Sequence, residues 1–246
     1  MTSIGILGAE GRMGKAIARL LASEEGVDLA GGADLGGDAA ALAANSDVLV
    51  DFTAPDGLQA HLDAAVAAGT PILIGTTGLK PEHHRAIDEA AGRVAVLQTA
   101  NTSVGVNVLR ALVEQAARRL GPDWDIEILD VHHRGKLDSP SGTALLLGAS
   151  ANIGRGAASN IESNRFDRMQ EGPHAREQGG IYYASLRGGS VAGDHLVLFA
   201  GDGERIELGH RAESRAIFAH GAVKAARWLA GKPAGRYTMA DVLGIG

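Results

Sequence analysis

Over residues 1–103 short apolar runs alternate with alanine-rich amphipathic stretches, and this alternation restricts the fold more than any other feature of the chain. Ile4–Leu7, Val27–Ala33, Val48–Phe52, Ile72–Ile74 and Val94–Leu97 have the length and side chains of strands, whereas Met13–Ser23, Gly57–Ala68 and Glu82–Ala91 carry apolar residues at helical spacing. Asp56 and Pro81 stand where acidic caps and proline favour a helix start. Strands apolar throughout need cover on both faces, so the pattern predicts a doubly wound parallel sheet flanked by helices. The stretch 31–45 is rich in Gly and Ala and short of β-branched residues, and reads as a shortened connection.

Beyond Asn101 the pattern changes. A helical run, Val106–Leu120, leads to a β-branched strand, Ile126–Val131, and the stretch 154–180 is polar and rich in Gly, Asn and Arg. Ile181–Arg187, His195–Ala200 and Arg205–Arg211 then follow as strands without helices between them, which predicts a mainly antiparallel sheet with hairpin turns at Gly188–Gly189 and Gly201–Gly203. The expected organisation is a first α/β domain over 1–103, a second α+β domain over 104–214, and a segment 215–246 whose helix, Ala216–Leu229, returns to the first domain.

Charge and composition narrow the function classes. A formal net charge of -6, from 23 Lys+Arg against 29 Asp+Glu, provides no basic field for a nucleic acid or an anionic membrane surface, so neither is an expected partner. The chain contains 0 Cys, which removes disulfides, thiolate metal sites and cysteine nucleophiles together. With no basic leader at Met1–Leu7 and no apolar run of about 18 residues, the expected location is the cytoplasm.

The segment Gly8, Ala9, Glu10, Gly11, Arg12, Met13, Gly14 directly follows the first strand and opens the first helix. In that context backbone N–H groups and a helix N-terminus can hold a pyrophosphate, as in Rossmann-like domains. The spacing is G-x-x-G-x-x-G, with Glu10 at the middle position of the usual fingerprint, so the loop alone is also consistent with a tight βα turn. Asp34 closes the second strand, where a carboxylate can accept hydrogen bonds from ribose hydroxyls. Leu35 rather than Arg follows it, which favours NADH over NADPH, although Arg12 could supply a guanidinium to a ribose phosphate. Two more loops at strand carboxyl ends, Gly75, Thr76, Thr77, Gly78 and Thr99, Ala100, Asn101, Thr102, Ser103, fall where open α/β sheets bind ligands.

The densest polar cluster is His132-His133-Arg134-Gly135-Lys136-Leu137-Asp138-Ser139-Pro140-Ser141-Gly142-Thr143, between a strand and a helix starting near Ser141. Imidazole exchanges protons near neutral pH, a lysine ammonium donates one, and Ser141, Gly142 and Thr143 offer helix N-terminal amides to a carboxylate. That combination suits a small dianionic substrate. A metal site needs additional convergent ligands, and adjacent strand residues point to opposite faces, so His132 and His133 do not readily share one ion unless the strand ends there, and no metal is expected. His83–His84 reads as solvated surface, and Arg110 with Glu114 as a helical ion pair beside Arg118 and Arg119.

Taken together, GAEGRMG at Gly8–Gly14, VDFT at Val50–Thr53, GTTG at Gly75–Gly78, NTSVGVN at Asn101–Asn107 and HHRGKLDSPSGT at His132–Thr143 resemble the 4-hydroxy-tetrahydrodipicolinate reductase family, formerly dihydrodipicolinate reductase, over nearly the whole chain. The resemblance implies a cofactor domain completed by the C-terminal helix, a central substrate and tetramerisation domain, a homotetramer, and NADH or NADPH as reductant. It implies hydride transfer to ring C4 of a cyclic imine in the diaminopimelate route to lysine. His132 would donate or accept a proton and Lys136 would donate one, with His133, Ser141, Gly142 and Thr143 at the substrate. Gly8, Ala9, Glu10, Gly11, Arg12, Met13, Asp34, Gly75, Thr76, Thr77, Thr99, Ala100, Asn101 and Thr102 would contact the dinucleotide. Thr102 stands where the family commonly has Phe, Glu10 where it has a small residue, and the 34–48 stretch is short. The residues alone also fit another two-domain NAD(P)-dependent amino or hydroxy acid dehydrogenase, or a non-catalytic dinucleotide sensor.

Overall fold

A computed structural model of the chain describes residues 1–156, 164–165 and 175–245, in two compact units; most of the polar 154–180 stretch lies outside the described residues. The first unit comprises residues 1–104 and 216–246. Its strands β1 (Thr2–Leu7), β2 (Val27–Ala33), β3 (Val48–Asp51), β4 (Ile72–Ile74) and β5 (Ala95–Gln98) alternate with helices α1 (Arg12–Leu21), α2 (Ala39–Ala44), α3 (Leu58–Ala68) and α4 (Pro81–Ala91). Near its end come α7 (Ala216–Leu229), β11 (Gly235–Tyr237) and α8 (Met239–Leu243). The six strands form one parallel sheet in the order β11-β5-β4-β3-β1-β2.

Alternate side chains of these strands feed two cores. Ile4, Ile6, Val48, Val50, Leu73 and Leu97 pack against Ile17 of α1, Ala222, Val223 and Leu229 of α7 and Met239 of α8. Leu49, Ile72, Ile74 and Val96 face Leu42 of α2, Leu58 and Leu62 of α3 and Ile87 of α4. Each such fully buried aliphatic side chain contributes about 1.5–3 kcal/mol, which is why the strands are apolar on both faces. Three elements depart from the sequence reading. The 31–45 stretch contains a short helix, α2, capped by Asp38, whose Oδ1 accepts from the Ala41 N–H at 2.8 Å. Beyond α7, β11 extends the sheet edge beside β5, and α8 starts in a capping box in which Thr238 and Asp241 each accept from the other's backbone N–H.

The second unit, residues 105–215, contains most of α5 (Val104–Leu120), then β6 (Asp125–His132), α6 (Gly142–Gly154), β7 (Asn164–Arg165), β8 (Ile181–Arg187), β9 (Asp194–Gly201) and β10 (Glu204–Arg211). Its sheet runs β10-β9-β6-β8-β7. β9 pairs antiparallel with β6 and with β10, but β8 pairs parallel with β6 and with β7, so the sheet is mixed rather than mainly antiparallel. Gly201–Gly203 makes the β9–β10 hairpin as expected, whereas Gly188–Gly189 makes none, because β6 lies between β8 and β9. One sheet face packs Ile126, Ile128, Tyr183, Val197 and Phe199 against Leu109 and Val113 of α5 and Ala144 and Leu147 of α6. Glycine lets α6 come this close: a Cβ on Gly148 would lie 1.8 Å from the Tyr183 hydroxyl.

Candidate active site

In the first unit the candidate residues gather at the carboxyl ends of the strands. Gly8 has φ +84°, a conformation that glycine alone adopts readily, and a Cβ on Gly14 would lie 2.2 Å from the Gly8 carbonyl oxygen. The chain therefore turns tightly from β1 into α1. Gly11 caps α1 without any side-chain hydrogen bond, so the first-turn amides of α1 are not satisfied by a cap. Open amides at a helix N-terminus are the chemistry that a pyrophosphate requires. Asp34 accepts from the Glu10 N–H through both carboxylate oxygens at 3.2 Å, and the Glu10 side chain is turned away to pair with Lys15 at 2.9 Å. The acidic residue in the loop is thus neutralised locally.

Behind these loops Asp51 is fully buried at the end of β3. Its Oδ1 accepts from the Thr53 N–H, the Thr53 hydroxyl and the Thr76 hydroxyl, and its Oδ2 contacts His61 Nδ1 at 2.8 Å. One carboxylate therefore ties the loops after β3 and β4 together. Gly75 meets the Phe52 ring, 2.2 Å from where its Cβ would stand. Thr77 and Ala100 are exposed on this rim, whereas Thr99 and Asn101 are buried and bond within their own turn. The buried Thr102 hydroxyl donates to the Phe218 carbonyl at 2.7 Å and so ties this turn to α7.

In the second unit the polar groups converge at one end of β6. Asp130 and His132 share a face of that strand, opposite Ser185 and Arg187 on β8, and Asp130 lies opposite His195 on β9. Asp130 is fully buried and accepts from four donors: Arg187 Nη1 at 2.6 Å, the Ser185 hydroxyl at 2.8 Å, the Ser141 N–H at 3.0 Å and His132 Nδ1 at 3.0 Å. Burial alone would raise its pKa, but the four hydrogen bonds together hold the carboxyl below its usual value. Burial lowers the pKa of His132, helped by the charges of Lys136 and Arg187 and opposed by Asp130.

Ser141 caps α6, its hydroxyl accepting from the Ala144 N–H at 3.1 Å and contacting His195 Nε2 at 3.1 Å. Arg187 Nη2 donates to the Asp138 carbonyl, and Asp138 pairs with Lys136 at 2.8 Å. The Lys136 contact is the main cause that holds the Asp138 carboxyl below its usual range. His133 Nε2 faces the Arg215 guanidinium at 2.9 Å. An imidazole at the end of β6 and the N-terminus of α6 thus share one buried carboxylate, and Arg187 links that carboxylate to the backbone of Asp138, the partner of the Lys136 ammonium.

Comparison with known proteins identifies the kind of chain this is. The profile described as dihydrodipicolinate reductase, N-terminus, matches residues 2–102, and that described as dihydrodipicolinate reductase, C-terminus, matches residues 105–243. The chain belongs to the dihydrodipicolinate reductase family. It is 54% identical to the 4-hydroxy-tetrahydrodipicolinate reductase of Zymomonas mobilis, covering 98% of this chain and 97% of that one. It is 46% identical to the enzyme of that name from Methylocella silvestris, covering 98% and 96%. A dipicolinate-bound dihydrodipicolinate reductase from Paenisporosarcina sp. TG-14 shares the fold, with a TM-score of 0.81, 22% identity and 98% of both chains covered. Members of this family are NAD(P)H-dependent oxidoreductases.

Within this dihydrodipicolinate reductase fold, His132, Lys136, Ser141, Gly142 and Thr143 come together at the β6–α6 junction. The Ser141 N–H goes to Asp130 and its hydroxyl to the cap and His195, while Gly142, the first residue of α6, is exposed. Sequence reasoning missed Asp130, Ser185, Arg187 and His195, and in the first unit Asp51 and His61. A signal for Asp130 was present: it lies two residues before His132 on a strand and so on the same face. No signal marked Arg187 or His195, whose placement depends on strand register.

Proposed function

We propose that this chain reduces 4-hydroxy-tetrahydrodipicolinate to tetrahydrodipicolinate with a nicotinamide dinucleotide, the reduction step of the diaminopimelate route to lysine. The observation that carries this reading is that Asp130 joins His132 to the α6 N-terminus at Ser141, with the Lys136–Asp138 pair tied in through Arg187, in a chain of this family. The first unit binds the dinucleotide through Gly8–Met13, Asp34, the Gly75–Thr77 loop and the Thr99–Asn101 turn. When bound, the dinucleotide would supply the hydride to ring C4, the 4-hydroxyl leaving as water and the oxidised dinucleotide as the second product. The second unit holds the substrate: the α6 amides of Gly142 and Thr143, with His133, face a carboxylate. Lys136 delivers a proton and offsets negative charge, and His132 exchanges protons through Nε2. A positioned acid of this kind contributes about 10²–10⁴-fold.

NADH is the favoured reductant. Asp34 is anchored beside the loop by the Glu10 N–H, and fully exposed Leu35 offers no charge to a ribose phosphate. Self-association into a homotetramer is supported by the uncovered face of the second sheet, where Leu129, Val131, Leu196 and Leu198 are only half-buried and Leu186 is exposed. A cytoplasmic location accords with a biosynthetic role; among the described residues no helix is long and apolar enough to cross a membrane. Adding freshly generated 4-hydroxy-tetrahydrodipicolinate to the protein with NADH, and separately with NADPH, tests the reading. Substrate-dependent oxidation with the higher kcat/KM for NADH is expected; no oxidation with either overturns the function, and an NADPH advantage overturns the preference.

A further inference from the structure

Asp130 lies two residues before His132 on β6 and bonds His132, the Ser141 N–H, Ser185 and Arg187 at once. As an ionised carboxylate it only accepts hydrogen bonds. The proton in its contact with His132 must therefore sit on Nδ1, so a neutral His132 has Nε2 unprotonated. Nε2 lies over Gly193, where a Cβ would come within 3.0 Å, and the backbone there has φ +155°, so glycine keeps that side of the ring open. The groups facing the imidazole are Asp130 on its own strand, Lys136 on the following loop, Arg187 on β8, and His195 on β9, whose ring stands edge-on at 5.1 Å. The cationic neighbours and burial both favour neutral His132, and the carboxylate selects which neutral form it takes.

We propose that Asp130 is a positioning residue for the reaction: it holds His132 as the Nδ1–H tautomer and aligns it, through the Ser141 N–H and Arg187, with the α6 N-terminus and the Lys136–Asp138 pair. The inference rests on the reductase reading for its kinetic part alone. Its structural part concerns one ring in the free protein. A buried carboxylate replaced by its amide behind a catalytic imidazole lowers turnover by about 10⁴-fold in serine proteases, because the wrong tautomer is stabilised while the geometry stays intact.

The test uses the full chain with ¹⁵N-labelled histidine, the His132 ring signals being assigned by their loss in His132→Gln. At pH above the His132 titration, the wild-type protein should show a protonated Nδ1 and a bare Nε2. Asp130→Asn should shift the population toward Nε2–H and lower kcat by about 10²–10⁴-fold with the KM for NADH unchanged, and Asp130→Glu should restore part of the loss. An Nε2–H tautomer in the wild-type protein overturns the proposal, and this measurement needs no Asp130 variant to fold. So does an Asp130→Asn protein that keeps both its tautomer and its turnover. Absence of turnover in the wild type would instead count against the reductase reading and leave the tautomer result to stand by itself.

Discussion

At His195 the two ring nitrogens have unequal surroundings: Nε2 meets the Ser141 hydroxyl, while Nδ1 is buried without a hydrogen-bond partner among the described residues. Burial is the main cause that lowers its pKa from 6.5 to about 4, with the charge of His132 adding to it. The unfolded chain would take up this proton near pH 6.5 and the native one only near pH 4. Between those values the unfolded state binds more protons, so stability rises with pH; the contribution is complete above 6.5 and is lost as pH falls toward 4. From His195 alone the loss is on the order of 3 kcal/mol. Urea unfolding from pH 7 to 4 should therefore show a shallower decline in His195→Gln than in the wild type, and equal slopes would refute the assignment. Of such buried partners the sequence shows only part. Asp130 could be read beside His132 from strand periodicity, whereas His195, more than sixty residues later, joins them only because β9 pairs antiparallel with β6 in this register.

Among the elements, the central strands β3, β4 and β5 of the first unit were legible because burial on both faces makes them continuous apolar runs. β11 was not, since Gly235, Arg236 and Tyr237 have no apolar run and owe their strand form to the free edge of β5. α2 escaped notice because six residues, five of them alanine, leave almost no periodicity, and its Asp38 cap is the clearest mark it has. The parallel pairing of β8 with β6 escaped for another reason: strand direction depends on the connection, and the polar 154–180 stretch carries no periodic signal to show a crossover. The same sheet exposes an apolar face on β6, β8 and β9. Full burial of Leu186 in an interface is worth about 1.5–3 kcal/mol per copy, and a lysine there would oppose association with a desolvated charge. In sedimentation velocity the wild type should move as four chains and Leu186→Lys as a smaller species. An unchanged boundary would show that this face does not carry the assembly.

Across the whole molecule, the two units divide the chemistry between them. Residues 1–104 and 216–246 form a parallel sheet whose loops suit a dinucleotide, and residues 105–215 carry the buried carboxylate with its imidazole, ammonium and helix N-terminus. With a net charge of -6 the chain offers no general basic field, so an anionic ligand would have to meet a local arrangement of this kind. The division predicts that damage to the polar loop spares cofactor affinity. Lys136→Ala provides the most direct measurement, with steady-state kinetics on 4-hydroxy-tetrahydrodipicolinate set beside a fluorescence titration with NADH. The predicted result is a fall in kcat of about 10²–10⁴-fold with the Kd for NADH changed by less than about threefold. Undiminished turnover, or a loss explained wholly by weaker NADH binding, would contradict the account.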